Sequence, residues 1–317
     1  MSVSPAIPRV LITGVTGFVG AHLVRELRAH GATDIFGIAS SDRRAADVDE
    51  QEQLTLGAPG SQGRLDALLR HWRPHWIFHL AGRPHATVTG TLQANTLAAT
   101  QMLDAVTLAV PDAMVLVLGS AAEYGTVSPA DLPIRETHDC HPESSYGIAK
   151  HAQTLLAQEA ARRGMHVVIA RAFNLIGAGV PEWLLPGALL ARARAALVEG
   201  KTHITVGNVN ALRDYLAVED AARALVDIIR HGAAGEIFNV CSGEPRAVKD
   251  LVDQLLACFP TSMGYHVDAA ARRSSDPAAV VGDASKLRAL SGWRPRVPFD
   301  ASVRAAYAAA VALEGVG

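Results

Sequence analysis

Three glycines, Gly14, Gly17 and Gly20, stand three residues apart in segment 13–20. The segment follows a short apolar run, 9–13, and opens a stretch in which apolar residues recur at helical spacing. A glycine turn between a strand and a helix lets the backbone approach a ligand closely. It also aims the helix N-terminus at that ligand, which is the geometry that binds pyrophosphate. This context favours a phosphate-binding loop over a plain turn.

Strand-like and helix-like segments alternate through the first half of the chain. After the first strand, the pattern predicts strands at 34–39, 76–80, 113–118 and 166–171, and helices at 18–30, 65–72, 87–106 and 145–163. Such alternation predicts right-handed βαβ units, and therefore an α/β fold with a doubly wound parallel sheet of the Rossmann type.

The second half is richer in helices, which are predicted near 184–198, 218–231, 248–258, 285–290 and 301–312. We interpret this half as a smaller, mostly helical substrate-binding lobe. The expected dinucleotide-binding domain is 1–174, with a return strand near 235–246. The lobe then comprises 175–234 and 247–317.

Composition excludes several classes of protein. The net charge is −2 with no long run of one sign, which argues against a nucleic-acid partner. No stretch reaches the roughly 20 apolar residues that span a bilayer, and the N-terminus lacks a signal-peptide core. Three scattered cysteines are typical of reduced thiols. We therefore expect a soluble cytoplasmic protein without a membrane partner.

The end of the second predicted strand bears on the choice of dinucleotide. An acidic residue there would bind the ribose hydroxyls and repel a 2′-phosphate. The sequence instead has Ser40 and Ser41 followed, after Asp42, by Arg43 and Arg44, and arginines suit a 2′-phosphate. NADP(H) is favoured. NAD(H) stays possible, because Asp42 takes the acidic role if the strand ends later and the arginines then decorate a solvated loop.

Tyr146 and Lys150 are four residues apart on a predicted helix and so face the same way. A nearby lysine cation favours the phenolate, which would make Tyr146 a proton donor to a carbonyl or an acceptor from an alcohol. Ser120 follows a predicted strand at the edge of the sheet where such folds bind ligands. Its hydroxyl is placed to polarise the same oxygen.

Taken with these residues, segments 119–125, 171–177, 206–215 and 238–243 resemble the extended short-chain dehydrogenases that modify nucleotide sugars. Among them the chain looks most like the GDP-4-keto-6-deoxymannose reductases, which form GDP-D-rhamnose. The resemblance implies catalytic roles for Ser120, Tyr146 and Lys150. It also implies a cofactor site made of Gly14, Thr16, Gly17, Phe18, Val19, Gly20, Ser40, Arg43, Arg44, Leu80, Ala81, Gly82 and Lys150.

The chain departs from that family at a few positions. Ala172 and Ala178 stand where prolines are common, and segment 54–57 has no aspartate for the adenine. By resemblance, the substrate is held by Asn174, Arg213, Arg273 and Asp276, although each alone is also typical of a surface side chain.

The loop after Ser120 separates reaction types. Dehydratases need an acid and a base there, whereas Ala121 and Ala122 supply neither, and we expect Glu123 to point away. A 4-ketoreductase is favoured. A 4-epimerase with tightly held NAD, or a non-catalytic dinucleotide sensor, remains an alternative. No metal is expected, because the histidines and cysteine at 137–141 are spaced too tightly for zinc frameworks.

Helices 87–106 and 145–163 carry extensive apolar surface. In the resembling family the equivalent pair forms a four-helix bundle across a two-fold axis. We therefore expect a homodimer built from these helices.

Overall fold

Seven parallel strands form the central sheet of the protein, of which a computed structural model describes residues 8–268 and 277–312. The strands of the described residues, in the central sheet and elsewhere, are β1 (Val10–Thr13), β2 (Ile35–Ala39), β3 (Glu50–Gln53), β4 (Trp76–His79), β5 (Met114–Ser120), β6 (Val167–Ala172), β7 (Asn174–Ile176), β8 (His203–Val206), β9 (Leu212–Ala217), β10 (Ile237–Val240), β11 (Pro245–Ala247), β12 (Gly264–Val267) and β13 (Ala279–Val280).

The central sheet has the order β3-β2-β1-β4-β5-β6-β10. The chain winds outwards from β1 to β3 and then returns to add β4 on the other side, so the winding reverses between β1 and β4. Thr13 at the end of β1 lies opposite Ile38 of β2 and His79 of β4. Ligands of doubly wound sheets bind beyond the carboxyl ends of strands at such a reversal. The predicted α/β, doubly wound fold is confirmed.

Some helices cover the two faces of this sheet and others belong to the lobe. They are α1 (Phe18–Ala29), α2 (Ser61–Trp72), α3 (Val88–Leu92), α4 (Ala98–Ala109), α5 (Ser145–Arg162), α6 (Leu185–Val198), α7 (Val218–His231), α8 (Val248–Leu256), α9 (Ser285–Ser291) and α10 (Phe299–Ala312). Helices α1 and α7 pack together on one face, and α2, α4 and α5 pack on the other. Nowhere in the described residues is a helix both long and apolar enough to cross a bilayer.

Strand β3 was not predicted, since its sequence Glu-Gln-Glu-Gln has no apolar residue. It pairs with β2 at the outer edge of the sheet, where its side chains face solvent or lie half-buried. An edge strand buries little, so hydrophobic alternation need not mark it.

The lobe contains more strand than the predicted mostly helical lobe. Strand β9 pairs with β7, β11 and β13 in one small sheet, and β8 pairs with β12 in another. Helices α6, α8 and α10 pack around a core of their own. The additional strands have two to six residues, too few to show a clear twofold alternation. The domain limits given above stay a prediction.

Candidate active site

A cavity of about 1510 Å³ opens at the carboxyl ends of β1, β4, β5 and β6, between the central sheet and the lobe. Its lining brings together, from distant parts of the chain, most of the residues that the sequence marks as functional: Gly14, Thr16, Gly17, Phe18, Val19, Gly20, Ser40, Arg43, Leu80, Ala81, Gly82, Ser120, Tyr146, Lys150, Asn174 and Arg213. Arg273 and Asp276 lie outside the described residues.

The three glycines of the loop lie close to neighbouring backbone, where a Cβ atom would be crowded. Gly14 has a φ of +68°, and an ideal Cβ there would lie 3.1 Å from the Ala81 nitrogen. A Cβ on Gly20 would collide with the Gly14 carbonyl, so the third glycine lets α1 pack against the turn. Because α1 begins at Phe18, its unpaired N–H groups face the cavity. The loop therefore fits a pyrophosphate.

The two arginines after β2 lie in different places: Arg43 lines the cavity and Arg44 does not. Arg43 lines the cavity with Ser40, and its guanidinium donates to the Thr16 carbonyl of the glycine loop. Arg44 lines a separate shallow depression, together with Glu52 and Arg64. The structure thus brings one of the two predicted arginines to the cavity, at the end of the loop where an adenosine ribose would lie.

Ser120 ends β5, and Tyr146 and Lys150 occupy the first two turns of α5. The Ser144 hydroxyl caps this helix by accepting a hydrogen bond from the Gly147 amide at 3.0 Å. Burial raises the pKa of Tyr146 to about 12, against the opposing effect of a hydrogen bond with the Ser120 hydroxyl. The net shift is upward, opposite to the expected lowering, because burial is its largest cause. The phenol is therefore protonated at neutral pH and suited to donate a proton.

Two hydrogen bonds fix the position of the Lys150 ammonium group. Its ammonium donates to the Leu118 carbonyl at 2.8 Å and to the Gln153 amide oxygen at 3.3 Å. Burial lowers the pKa of Lys150 to about 8, and the negative charge of Glu123 opposes that shift. A Cβ on Gly82 would lie 2.9 Å from the ammonium, so the glycine keeps the space beside it open.

Asn95, which the sequence analysis did not single out, does not line the cavity itself but lies against Gly82, which does. It lies fully buried in the π turn Gln93–Leu97 that joins α3 to α4. Its amide donates to the carbonyls of Thr91 and Arg83 at 2.7 and 2.8 Å, while its oxygen Oδ1 is buried without a partner among the described residues. An orphaned acceptor beside Gly82 fits a ligand hydroxyl. A polar residue within an apolar helix was the signal available in the sequence, and π turns are frequent at functional sites.

Glu123 lies behind Ser120, outside the cavity. Its carboxylate accepts the Ser120 amide at 2.8 Å through one oxygen and the Arg171 guanidinium at 2.9 Å through the other, and both side chains are buried. Cys140, His151 and this carboxylate come within 4.8 Å of one another. The Arg171 guanidinium already neutralises the charge of the Glu123 carboxylate. A metal ion bound by Glu123, Cys140 and His151 would therefore lie beside a buried cation.

Ala121 and Ala122 line the cavity next to Ser120 and bring only methyl groups to it. Neither can donate or accept a proton. The acid and base that an elimination needs are therefore absent from this loop.

The lobe contributes side chains to the cavity. Asn174 donates to the Asp214 carbonyl at 3.0 Å, and the buried Arg213 guanidinium donates to the Pro277 carbonyl at 2.9 Å. Arg192 of α6 also lines the cavity and was missed, because nothing in the sequence distinguishes it from other surface arginines. Trp183, just before α6, also lines the cavity and was missed, because nothing in the sequence around it marks it as a ligand contact.

Comparison with known proteins identifies relatives over most of the chain. Residues 10–241 match the model of the NAD dependent epimerase/dehydratase family. The chain is 30% identical to the GDP-6-deoxy-D-mannose reductase of Pseudomonas aeruginosa, covering 94% of this chain and 95% of that protein. It is also 30% identical to a UDP-glucose 4-epimerase of Azospirillum brasilense, covering 92% and 88% of the two chains.

The fold agrees with solved structures as well. The structure of RMD from Pseudomonas aeruginosa complexed with NADPH superposes with a TM-score of 0.81 at 28% identity, covering 96% of this chain and 99% of that one. The family match, the identity over nearly the full length and the shared architecture agree with the resemblance seen in the sequence. The chain belongs to the NAD dependent epimerase/dehydratase family.

Proposed function

We propose that this protein is an enzyme that reduces the 4-keto group of a nucleotide-linked 6-deoxyhexose, converting GDP-4-keto-6-deoxy-D-mannose to GDP-D-rhamnose with NADPH. The observation that carries the proposal is that Ser120, Tyr146 and Lys150 line one cavity, beside a loop that presents only alanine methyl groups. This arrangement can protonate a carbonyl oxygen but has no second acid–base pair for elimination. The GDP-6-deoxy-D-mannose reductase relative supports the choice of substrate.

The chain's residues fit a nicotinamide dinucleotide. The glycine loop would hold the pyrophosphate, and the unpaired Asn95 oxygen and Lys150 would meet the ribose next to the nicotinamide. Arg43 would meet a 2′-phosphate, which is why NADP(H) is preferred over NAD(H). Bound in this way, the reduced dinucleotide supplies the hydride.

Tyr146 delivers the proton. Its phenol donates to the substrate oxygen at C4 while the Ser120 hydroxyl donates a second hydrogen bond to the same atom. The Lys150 cation stabilises the phenolate left behind, because an opposite charge nearby favours the ionised form. Glu123 fixes the Ser120 backbone through the hydrogen bond at 2.8 Å, so that the hydroxyl keeps its place beside the phenol.

On the substrate side, Asn174, Arg192 and Arg213 stand where they would meet the diphosphate, since all three line the lobe side of the cavity. Arg273 and Asp276 stay candidates for the same site, from the sequence resemblance.

A 4-epimerase is the second candidate, because the Azospirillum brasilense relative carries that activity in its name at the same identity. An epimerase would retain its dinucleotide through purification and interconvert sugar-nucleotides without added cofactor. A sensor without catalysis is disfavoured by the intact Ser120, Tyr146 and Lys150 set.

The test incubates purified protein and NADPH with GDP-4-keto-6-deoxymannose, freshly made by enzymatic dehydration of GDP-mannose. The loss of reduced-nicotinamide absorbance is followed, and the product is identified by NMR. Formation of GDP-D-rhamnose is expected. Oxidation of NADPH with a dTDP- or UDP-linked keto sugar but not with the GDP-linked one would change the substrate. No oxidation with any of them would overturn the reductase assignment.

A further inference from the structure

Trp183 differs from the other three tryptophans of the chain. Trp72, Trp76 and Trp293 are 3–8% exposed and belong to the core, whereas Trp183 is 45% exposed. Its exposed ring lines the cavity that holds Ser120, Tyr146 and Lys150. A large aromatic side chain left open inside a concave site is typical of a ligand contact, because its burial is completed when the ligand binds.

The backbone holds Trp183 at this place. The segment that follows β7 turns at Gly177 and Gly179, whose φ values are +151° and +83°. The Leu184 amide then donates to the Pro181 carbonyl at 3.0 Å, which closes a turn around the tryptophan just before α6 begins. The indole is therefore carried on a fixed turn.

The indole faces the reacting centre. Its ring centroid lies 6.4 Å from that of Tyr146, with the two planes inclined at 57°. Pro181, Leu184 and Leu185 line the same part of the cavity, so this wall is apolar. A sugar whose C4 oxygen is bound to the Tyr146 phenol has the substituents of its neighbouring ring carbons within reach of such a wall.

We propose that Trp183 is a specificity-determining residue that packs against the C6 methyl group of the hexose and so selects 6-deoxy sugars over sugars with a C6 hydroxyl. The inference rests on the proposed function and names its substrate class. Of the two carbons beside C4, C3 carries a hydroxyl and C5 carries the C6 group. A hydroxyl pressed on the apolar wall would lose its hydrogen bonds to water, whereas a methyl group gains from leaving water.

The size of the selection follows from the same physics. An apolar pocket rejects an added hydroxyl by roughly a hundredfold at most. We therefore expect the wild-type protein to prefer the 6-deoxy substrate by about tenfold to a hundredfold in kcat/KM. Removing the ring should abolish most of that preference.

The experiment measures the reverse reaction, with NADP+ as oxidant, on GDP-D-rhamnose and GDP-D-mannose. These two substrates differ only in the hydroxyl at C6. Trp183→Ala is expected to lower the ratio of their kcat/KM values by about tenfold or more, whereas Trp183→Phe, which keeps an apolar ring, retains most of it. Val198→Ala, which changes an exposed apolar residue at the far end of α6, serves as the matched control and keeps the wild-type ratio.

A second readout does not depend on turnover. Acrylamide quenches exposed tryptophan fluorescence, so Trp183 supplies the accessible fraction and Trp183→Phe identifies it. GDP-D-rhamnose is expected to protect that fraction, while GDP alone and NADP+ alone leave it accessible. Protection by GDP or by NADP+ alone would overturn the inference, because the ring would then cover the nucleotide or the cofactor.

The kinetic outcomes also separate the two proposals. Turnover of both sugars by Trp183→Ala with an unchanged ratio would overturn the role of Trp183 and leave the reductase assignment intact. Failure of the wild-type protein to oxidise either sugar, alongside the negative result of the forward assay, would overturn the proposed reaction and with it the substrate on which this inference rests.

Discussion

The central sheet and the lobe contribute to the same cavity by different means. On the sheet side, the ligand-facing groups are mostly backbone: the glycine loop, the N-terminus of α1 and the open space at Gly82. On the lobe side they are isolated side chains, Arg192, Arg213 and Trp183, carried by a helix, a short strand and a turn. A site made of backbone needs glycines at fixed spacing, whereas a site made of side chains can be assembled from almost any positions.

In the proposed function, the chemistry takes place on the sheet side and the lobe selects the substrate. On the sheet side, the proposed catalysis depends on Ser120 at the end of β5 and on Tyr146 and Lys150 of α5. Variants on the two sides should therefore fail differently, with loss of turnover for the first and loss of discrimination for the second.

The largest effect is expected for Tyr146→Phe. The change keeps the ring and its packing but removes the proton, so kcat should fall between about a hundredfold and ten-thousandfold. The NADPH dissociation constant, measured by fluorescence titration, should change little, because the phenol oxygen is not part of the glycine loop. Near-normal turnover would end the assignment of Tyr146 as the acid.

Glu123→Ala tests the carboxylate that accepts the backbone amide of Ser120, the serine proposed to be catalytic. The variant would leave the buried Arg171 cation without its partner, which costs about 3–5 kcal/mol of unfolding free energy in urea denaturation. The double variant Glu123→Ala/Arg171→Met should recover much of that loss. Asp300→Ala, which breaks an exposed ion pair with Arg304, is the control and should cost less than about 1 kcal/mol. Equal losses at the buried and exposed pairs would contradict the prediction.

The contrast between the sheet side and the lobe also explains which features could be predicted from the sequence. The glycine spacing and the apolar strands made the central sheet predictable, and the fold and the family are confirmed. Tyr146 and Lys150, on one helix face, line the cavity as expected, and their catalytic role stays a prediction. Local patterns suffice there because the residues are close in sequence or fixed by strand ends.

The missed features depend on tertiary packing. Asn95 matters because a π turn aims its side chain at Gly82. Glu123 points away from the cavity as expected, but its pairing with Arg171, far along the chain, could not be read from the sequence. Strand β3 exists because β2 offers an open edge, not because its own residues alternate. Burial raises the pKa of Tyr146, and that burial cannot be read from the distance in sequence between Tyr146 and Lys150.

Arg43 lines the cavity and Arg44 does not, so the two arginines should differ in their effect on NADPH binding. Arg43→Ala should weaken NADPH binding by about tenfold to a hundredfold, since a charge-assisted hydrogen bond contributes about 1.5–3 kcal/mol, and should change NADH binding little. Arg44→Ala is the matched control, because Arg44 lies in the neighbouring depression and should affect both cofactors slightly. Titration of both variants with both cofactors is the measurement. Equal losses for NADPH and NADH at Arg43 would contradict a 2′-phosphate contact.

The pH dependence of reduction should follow Lys150. Reduction needs a protonated Tyr146, whose pKa of about 12 lies above the working range, and a charged Lys150, whose pKa burial lowers to about 8. As pH rises through that value the lysine loses its charge, so kcat should be about tenfold lower near pH 9 than near pH 7. Lys150→Arg keeps a charge that does not titrate, and should move this alkaline decline to higher pH. A wild-type kcat that stays level across this range would contradict the role of the cation.

The smallest effect is a twofold change in the mass of the particle in solution, and it concerns exposed apolar residues on the sheet side of the molecule. Ile148 and Leu155 of α5, seven residues apart, share one helix face, and each is at least half exposed. Leu97 and Leu108 are equally exposed along α4 and the preceding turn. We propose that these faces meet those of a second copy in a homodimer, because soluble monomers rarely expose such apolar surface.

Light scattering at low micromolar concentration should therefore give twice the mass of one chain. Leu155→Lys, which places a charge in the middle of that face, should shift the protein towards a single chain. Val198→Lys, at a residue of α6 that is still more exposed, should leave the mass unchanged. A wild-type mass of one chain would overturn the dimer, and it would mean that the face of α5 opposite Tyr146 and Lys150 has a different partner.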